Sequence, residues 1–586
     1  MKLARLLVAS IALLGAGAPL ADEPAARPAA RTVSDIVALL DHYQPDPARV
    51  AQLRAVLDAA LPATEDRHDL ADAHVARARA AQELGAVQRQ IAELKAAIEF
   101  GGGGENLGRV YKELSMAEMQ GGRFRDAIEA RRQAIAMTPG NMGGQVISDY
   151  VSLADSYRRL GDLDSVKKAL DQARAHYAEV MRGRKVGVYG KNWASTMEAG
   201  EAYLLYGQGR YGEAEARMRK ALELLEEDMK VNPRRVAAGL NSPPQVQLEA
   251  SREFLLTWIA EMERQQDKLY EAEVTVREAL RSMLSRVGRD SPNTANGLVA
   301  FARILNTQGR AREAEALARQ SLAIYDRLGT PPESFFRGQA RLQLATALFS
   351  EGKWREAVTA FDTLLADTAA DAAYQARLKK GNLVWATALI RAGRANDAVV
   401  MLRNLVAEDT EWFGPRHFQT AEMRGLLGFA LARSGDKAGA LKEFRFAVPI
   451  LLAANLEEER SPGRMRRLAM VLEAYIALLS EIRGGELEKT EGIDAASEAF
   501  RLADALRGQE TQAAVAAAAA RGITGSGELG ELIRREQDLR QEGASLRRIL
   551  TDLMASPPDQ QLPKVIAEMK ARLDAIGGER KALRER

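Results

Sequence analysis

Residues 349–365 read FSEGKWREAVTAFDTLL. Gly352 stands two residues before a large aromatic, Trp354, and five before a small residue, Ala357. A glycine ahead of an apolar run closes one helix, because it accepts the left-handed backbone there, and the residue after it staples the start of the next. The same spacing recurs at Gly122/Phe124/Ala127/Ala134, Gly161/Leu163/Val166/Ala173 and Gly209/Tyr211/Ala214/Ala221. It continues at Gly309/Ala311/Ala314/Ser321, Gly352/Trp354/Ala357/Leu364, Gly393/Ala395/Ala398/Leu405 and Gly435/Lys437/Ala440/Ala447. Leu269/Ala272/Ala279 keeps the pattern without the glycine, and Ile493/Ala496/Ala503 is a worn copy, which makes nine occurrences.

A position not used for the alignment behaves as well. Seven residues before each turn stand Ser115, Ala154, Ala202, Ala260, Ala302, Ala345, Ala386 and Gly428, none with a large side chain. Small residues on two successive helices let their backbones approach closely. Each unit is then a helical hairpin that cannot bury its apolar face alone, so neighbours must stack into a solenoid. The fold class expected is all-α: an α-solenoid, a superhelix of helical hairpins.

The pattern of Gly, aromatic and Ala, with a small residue seven before the glycine, resembles the tetratricopeptide repeat, and Pro139 occupies the repeat-ending place. The resemblance covers about Asn106 to Gly508, with units mostly near 42 residues apart. In the linkers GRDSPNT, GPRHFQT and GKNWAST, threonines Thr294, Thr420 and Thr196 stand where a helix should begin and are expected to cap its free backbone donors. In solenoids of this family the first helix of each unit lines an inner groove. Counting back from the turns, the resemblance places Arg158, Arg159, Tyr203, Tyr206, Arg264 and Asn296 on that face. Arg303, Asn306, Thr307, Lys380, Arg391 and Arg433 follow by the same count. Arg and Asn can hold a peptide backbone or carboxylate through several donors, and Tyr offers a rigid contact.

Composition bounds the remaining possibilities. With 82 basic and 80 acidic residues, no global field steers the chain towards nucleic acid or an anionic membrane. Cysteine is absent, so stability must come from helix stacking and no lipid can be attached through a thiol. Residues 1–21, with Lys2 and Arg5 ahead of an apolar run and small residues at the end, read as a signal peptide cleaved after Ala21. The run is too short for a transmembrane anchor, and a periplasmic or secreted location is expected. Residues 22–105 read as a linker and an N-terminal helical cap, 106–508 as the solenoid and 509–586 as a C-terminal helical region.

In that last region Leu532, Leu539, Leu546 and Leu553 repeat every seven residues. SPPDQQLP breaks the run, and Ile566, Met569, Leu573, Ile576 and Leu583 make a second stripe, so an antiparallel coiled-coil hairpin is expected. The order AFRLADALRGQETQAAVAAAAARG, ELIRREQDLRQEGASLRRIL and ARLDAIGGERKALRER resembles the segment that joins the repeats to the caspase-like domain of bacterial TPR-CHAT proteins. That domain does not follow here, and without a cysteine nucleophile the family's protease activity is not expected of this polypeptide. The resemblance implies a CHAT-type protease domain acting in trans as one partner, this chain being the recognition half of a split system.

Catalytic, cofactor and metal signals are weak. Gly525-Ser526-Gly527-Glu528-Leu529-Gly530 matches a dinucleotide-loop pattern, yet an alanine-rich helix precedes it where the chemistry needs a strand. His68, Asp69, Asp72 and His74 cluster, but His74 would point away from the others and zinc needs three or four convergent ligands. The acidic runs at Glu226 to Asp228 and Glu457 to Arg460 read as solvated surface, and the basic ERSPGRMRR as a helix-start loop. No catalytic, metal or cofactor site is expected. The reading is a non-enzymatic scaffold that binds a protein or peptide in a concave groove, with homo-oligomerisation through the C-terminal coil as the structural alternative.

Overall fold

The computed structural model describes residues 33–506 apart from 103–106, 139–142, 241, 267, 372–373, 376–377, 379–381 and 458–461, and further on 535, 539, 542, 546 and 563–584. Among the described residues every regular element is a helix. Eight hairpins follow one another: Leu107–Gln120 with Phe124–Ala136, Gly143–Leu160 with Leu163–Val180, Val186–Gly207 with Tyr211–Ala237, Gln245–Gln265 with Leu269–Val287, then Pro292–Gln308 with Ala311–Arg327, Phe335–Ser350 with Trp354–Asp367, Leu383–Arg391 with Ala395–Phe413, and Phe418–Ser434 with Lys437–Glu457. They are units 1 to 8 below. A ninth pairs Pro462–Ile482 with a helix at 495–506.

The small-residue columns are where the helices meet. Ala154, Ala202, Ala302, Ala345 and Ala386 on the first helices are fully buried, as are Ala127, Ala214, Ala272, Ala314, Ala357, Ala398 and Ala440 on the second. Serines along these contacts show how close the backbones run. Ser115 Oγ donates to the Ala127 carbonyl at 2.8 Å, Ser195 Oγ to Ala221 at 2.7 Å and Ser321 Oγ to Ala295 at 2.9 Å. A hydroxyl can reach a facing carbonyl only where no larger side chain holds the two helices apart.

A salt-bridge ladder ties neighbouring units along the turn edge. Glu215 bonds Lys268 at 2.7 Å, Glu273 bonds Arg310 at 2.8 Å and Glu315 bonds Lys353 at 2.7 Å. In each pair the carboxylate lies six residues after its own turn position and the cation lies one residue after the next.

Three details depart from the sequence reading. The linker threonines do not cap the helices: Thr294 Oγ1 donates to the Gly288 carbonyl at 2.7 Å and Thr420 Oγ1 to Gly414 at 2.9 Å, pinning the linker, while Ser291 and His417 take the capping positions. Thr196 lies well inside a helix and donates to Asn192. Unit 9 is shifted by one residue, because Ala495 is buried and Ala496 exposed. The short helix Glu486–Thr490 fills its turn and breaks the count from the glycine. Before unit 1, Arg67–Glu83 and Val87–Glu99 form another hairpin around Gly85, with Ala78 buried seven residues ahead of it, so the stacking extends into the expected cap.

The stack also closes on itself. The Phe124 ring, at the turn of unit 1, lies 5.1 Å from Phe335 and 6.4 Å from Phe336 at the start of unit 6. Gly122 is needed here twice over: its φ is +79°, and a Cβ on it would stand 2.6 Å from Phe335 Cβ. A Cβ on Gly85 would come within 2.8 Å of Leu328. Still earlier, Val33, Ile36 and Leu40 join the core of units 4 and 5, and the Arg289 amide donates to the Tyr43 carbonyl at 2.8 Å. The turn edge of the early units thus meets the linker edge of later ones, and one superhelical turn is sealed by a seam.

In the C-terminal region Leu539 and Ile576 are buried, Arg572 bonds Glu542 at 2.8 Å and Arg535 bonds Glu579 at 3.2 Å. The signal segment, the Gly525 to Gly530 loop and Lys380 lie outside the described residues.

Candidate functional site on the inner face

Side chains six residues before each turn form a row across units 2 to 5: Asp155, Tyr203, Glu261 and Arg303. Those three before the turn sit beside them: Arg158, Tyr206, Arg264 and Asn306. The helical pitch puts both rows on one face, and the stacking of units turns them into a continuous strip.

At one end of the strip Asp155 holds two cations. It accepts from Arg158 Nη2 at 2.7 Å and from Arg159 Nε at 2.9 Å. Burial alone would push the Asp155 carboxyl up, but the Arg159 and Arg158 guanidiniums outweigh it and hold it below the ordinary value. The Arg158 guanidinium lies 4.4 Å from the Trp258 ring centre and 5.6 Å from that of Tyr206, a cation–π box built from three units. Tyr203 is buried in its wall, 5.4 Å from Trp258, and burial pushes its phenol far up.

Glu261 is the hub. Its carboxylate accepts from Arg264 Nη2 at 2.8 Å, Gln265 Nε2 at 3.0 Å and the Tyr206 hydroxyl at 3.1 Å. Arg303 of the next unit lies 3.4 Å away. Burial opposes ionisation here too, and the Arg303 and Arg264 charges overcome it, setting the carboxyl at about 2. The Tyr206 phenol goes the other way, to about 12, through burial and the Glu261 charge. From Arg303 the strip runs on: Nη2 donates to Gln339 Oε1 at 3.3 Å, and Gln339 Nε2 to the Tyr374 hydroxyl at 3.1 Å.

The residues expected on the groove divide accordingly. Arg158, Tyr206, Arg264 and Arg303 are brought into one network, with Tyr203 packed beneath it. Asn306 Nδ2 donates to the backbone and side-chain oxygens of Gln343 at 3.0 and 3.2 Å, and Asn296 Oδ1 accepts from the Tyr325 hydroxyl at 2.7 Å. Thr307, Arg391 and Arg433 are exposed. Arg391 of unit 7 spans the Trp354 ring at the turn of unit 6 and the Phe429 ring of unit 8 at 5.6 and 5.4 Å, and Trp354 stays 37% exposed. Glu261 and Trp258 were not singled out from the sequence. Glu261 shares the position, six before the turn, that selects Tyr203 and Arg303, and this is the signal that would have found it.

The strip presents fixed guanidinium, amide and phenol groups. Among the described residues no set of three acidic or histidine side chains is placed to hold a metal ion. His74 is buried and bonded to Glu93 at 2.6 Å.

The family model of the tetratricopeptide repeat matches residues 252–327, which span unit 4 and unit 5. The chain carries tetratricopeptide repeats. Among solved structures it is similar to a putative kinesin light chain with nearly identical TPR-like repeats from Podospora anserina, at 20% identity over 35% of this chain and 98% of that one, TM-score 0.29. It is also similar to BtubC from P. vanneervenii at 19% identity, covering 43% and 91%, TM-score 0.30. A Rap protein complexed with competence and sporulation factor matches at 12% identity, covering 63% and 99%, TM-score 0.35. No curated protein matches the sequence.

Proposed function

We propose that the chain is an exported scaffold that binds a protein or peptide segment along the inner strip of its tetratricopeptide units. The observation that supports this most is the row from Arg158 to Tyr374, in which every polar side chain is held by a neighbour from its own or an adjacent unit. Ordering long side chains costs entropy, and a surface that has already met that cost binds more tightly. Arg303 and Arg158 each keep donors beyond those spent internally, since a guanidinium carries five. A segment rich in backbone carbonyls or carboxylates matches them.

Export rests on the residues at 1–21, and the C-terminal region supplies a second docking element. Glu542 with Arg572 and Arg535 with Glu579 step in opposite directions by seven residues each, the register of an antiparallel helical pair. This supports a hairpin that docks a second partner or another copy.

The test is capture from envelope extracts with the strip residues Arg158 and Arg303 changed to Gln, alone and with Thr307→Glu. The proposal expects one set of partners recovered by the unaltered chain and lost with the triple variant. Partners recovered equally by both would end it.

A further inference from the structure

The seam covers only part of the linker edge. The linkers from unit 4 to unit 5 and from unit 5 to unit 6 lie under Tyr43, Gly85 and Phe124. The two linkers before them, at 181–185 and 238–244, have no such cover among the described residues.

Those two linkers stand side by side. In unit 3, Lys191 bonds Glu227 at 2.6 Å and Ser195 bonds the Ala221 carbonyl at 2.7 Å. The helices are antiparallel, so moving back from Lys191 matches moving forward from Glu227, and the linker at 181–185 comes level with the end of Tyr211–Ala237. That helix runs for 27 residues and projects past its neighbours. Its projecting end is rigid: Arg235 donates to the fully buried Asp228 at 2.6 Å, and Asn232 donates to the Pro243 carbonyl at 3.2 Å.

Cations predominate on this edge, with Glu227, paired to Lys191, at its margin. Arg182, Arg184, Lys185, Lys230 and Arg234 are exposed, and none has an ion pair among the described residues. No acidic residue occurs in 181–191 or in 230–247. Between the cations stand Val231, Val236, Leu240 and Val246, exposed by 38%, 56%, 44% and 53%. The chain as a whole is near neutral, with 82 basic and 80 acidic residues, so the edge is a local excess of positive charge.

We propose that this edge is a peripheral docking surface for an anionic lipid bilayer. Unpaired cations are drawn to acidic headgroups, and single aliphatic side chains on a rigid projecting end enter the interface between them. An acidic protein would need anchors and pockets to bind tightly, and such sites are rich in Trp and Tyr. The stretch 230–247 holds no aromatic residue, and the one aromatic of 181–191, Tyr189, packs its ring 5.8 Å from that of Trp193. A soft, fluid surface can conform to a projecting end where a folded partner would need a matching cavity.

The test is sedimentation of the purified, processed protein with vesicles of phosphatidylcholine alone and of phosphatidylcholine with phosphatidylglycerol, at low and high salt. Binding is expected only to the anionic vesicles and is expected to fall with salt. The variant R182Q/R184Q/K185Q/R234Q should bind at least about tenfold more weakly, given the contribution of each cation near an anionic surface. Leu240→Ser with Val236→Ser, which leaves the charge of the edge unchanged, should weaken binding with little change in its salt dependence. A control with R312Q/R355Q, exposed cations of other units, should bind as the unaltered chain does, and circular dichroism should show all variants folded. No binding to anionic vesicles, or equal binding by the quadruple variant, overturns the proposal. In that event an acidic protein partner becomes the reading of the edge.

Discussion

Replacing Glu261 by Gln removes one negative charge from the centre of the inner strip while keeping the side chain's shape. In the folded protein the Glu261 carboxyl sits at about 2, set by burial on one side and the stronger Arg303 and Arg264 charges on the other. Its side chain is only 16% exposed, so solvent screens little of this. A displacement of that size below the ordinary carboxyl value corresponds to about 3 kcal/mol of stability at neutral pH. The sign follows from the direction. A lowered carboxyl stabilises the fold above its unfolded value, near 4.5, and that contribution is lost as the pH falls towards 2. Glu261→Gln should therefore lower the urea stability by about 2–3 kcal/mol at pH 7, with the difference from the unaltered protein shrinking as pH drops below about 4.5. Because repeat arrays transmit stability mainly between neighbours, hydrogen exchange should show the loss concentrated in units 3 to 5. A variant as stable as the parent at pH 7, or a difference independent of pH, would refute the hub.

Other perturbations give equally direct readings. Glu263, buried beside Arg219, is pushed up to about 7 by burial against the partial relief of that guanidinium. Its folded value lies above the unfolded one, so its contribution is fully present at low pH and lost as pH rises through about 7. Glu263→Gln should gain about 1–3 kcal/mol over the parent in thermal or urea unfolding at pH 8 and little at pH 5. Ala302→Leu forces a large side chain where two backbones meet and should cost at least about 1–3 kcal/mol, measured by urea unfolding. Phe335→Ala removes the ring that covers Phe124 across the seam; X-ray scattering should show an expanded particle, with the helical content unchanged by circular dichroism.

How legible this was in the sequence depended on the range of the interaction. The hairpins were readable because the constraint is local: Ala302 and Ala314, twelve residues apart in sequence, must both be small where their two consecutive helices touch. The threonines were misread because a hydroxyl can donate as well as accept, and Thr294 spends its proton on Gly288 rather than taking one from a helix start. Unit 9 slipped because a short helix occupies its turn. The inner strip is half visible: the count from the turns selects its cations and tyrosines, while Glu261, at the same position, shows its role only once Arg264, Tyr206 and Arg303 are seen around it. The seam had no sequence signal. Phe124 and Phe335 are 211 residues apart, and nothing in a 42-residue period says how tightly the superhelix winds.

The central claim is that the inner strip holds another molecule. A photoreactive amino acid placed at Thr307, exposed beside Arg264 and Arg303, and separately at Val400, exposed on a second helix, tests it in the native envelope. The account predicts a crosslinked partner from Thr307 and none from Val400. Adducts of the same mass from both positions, or from Val400 alone, would contradict it.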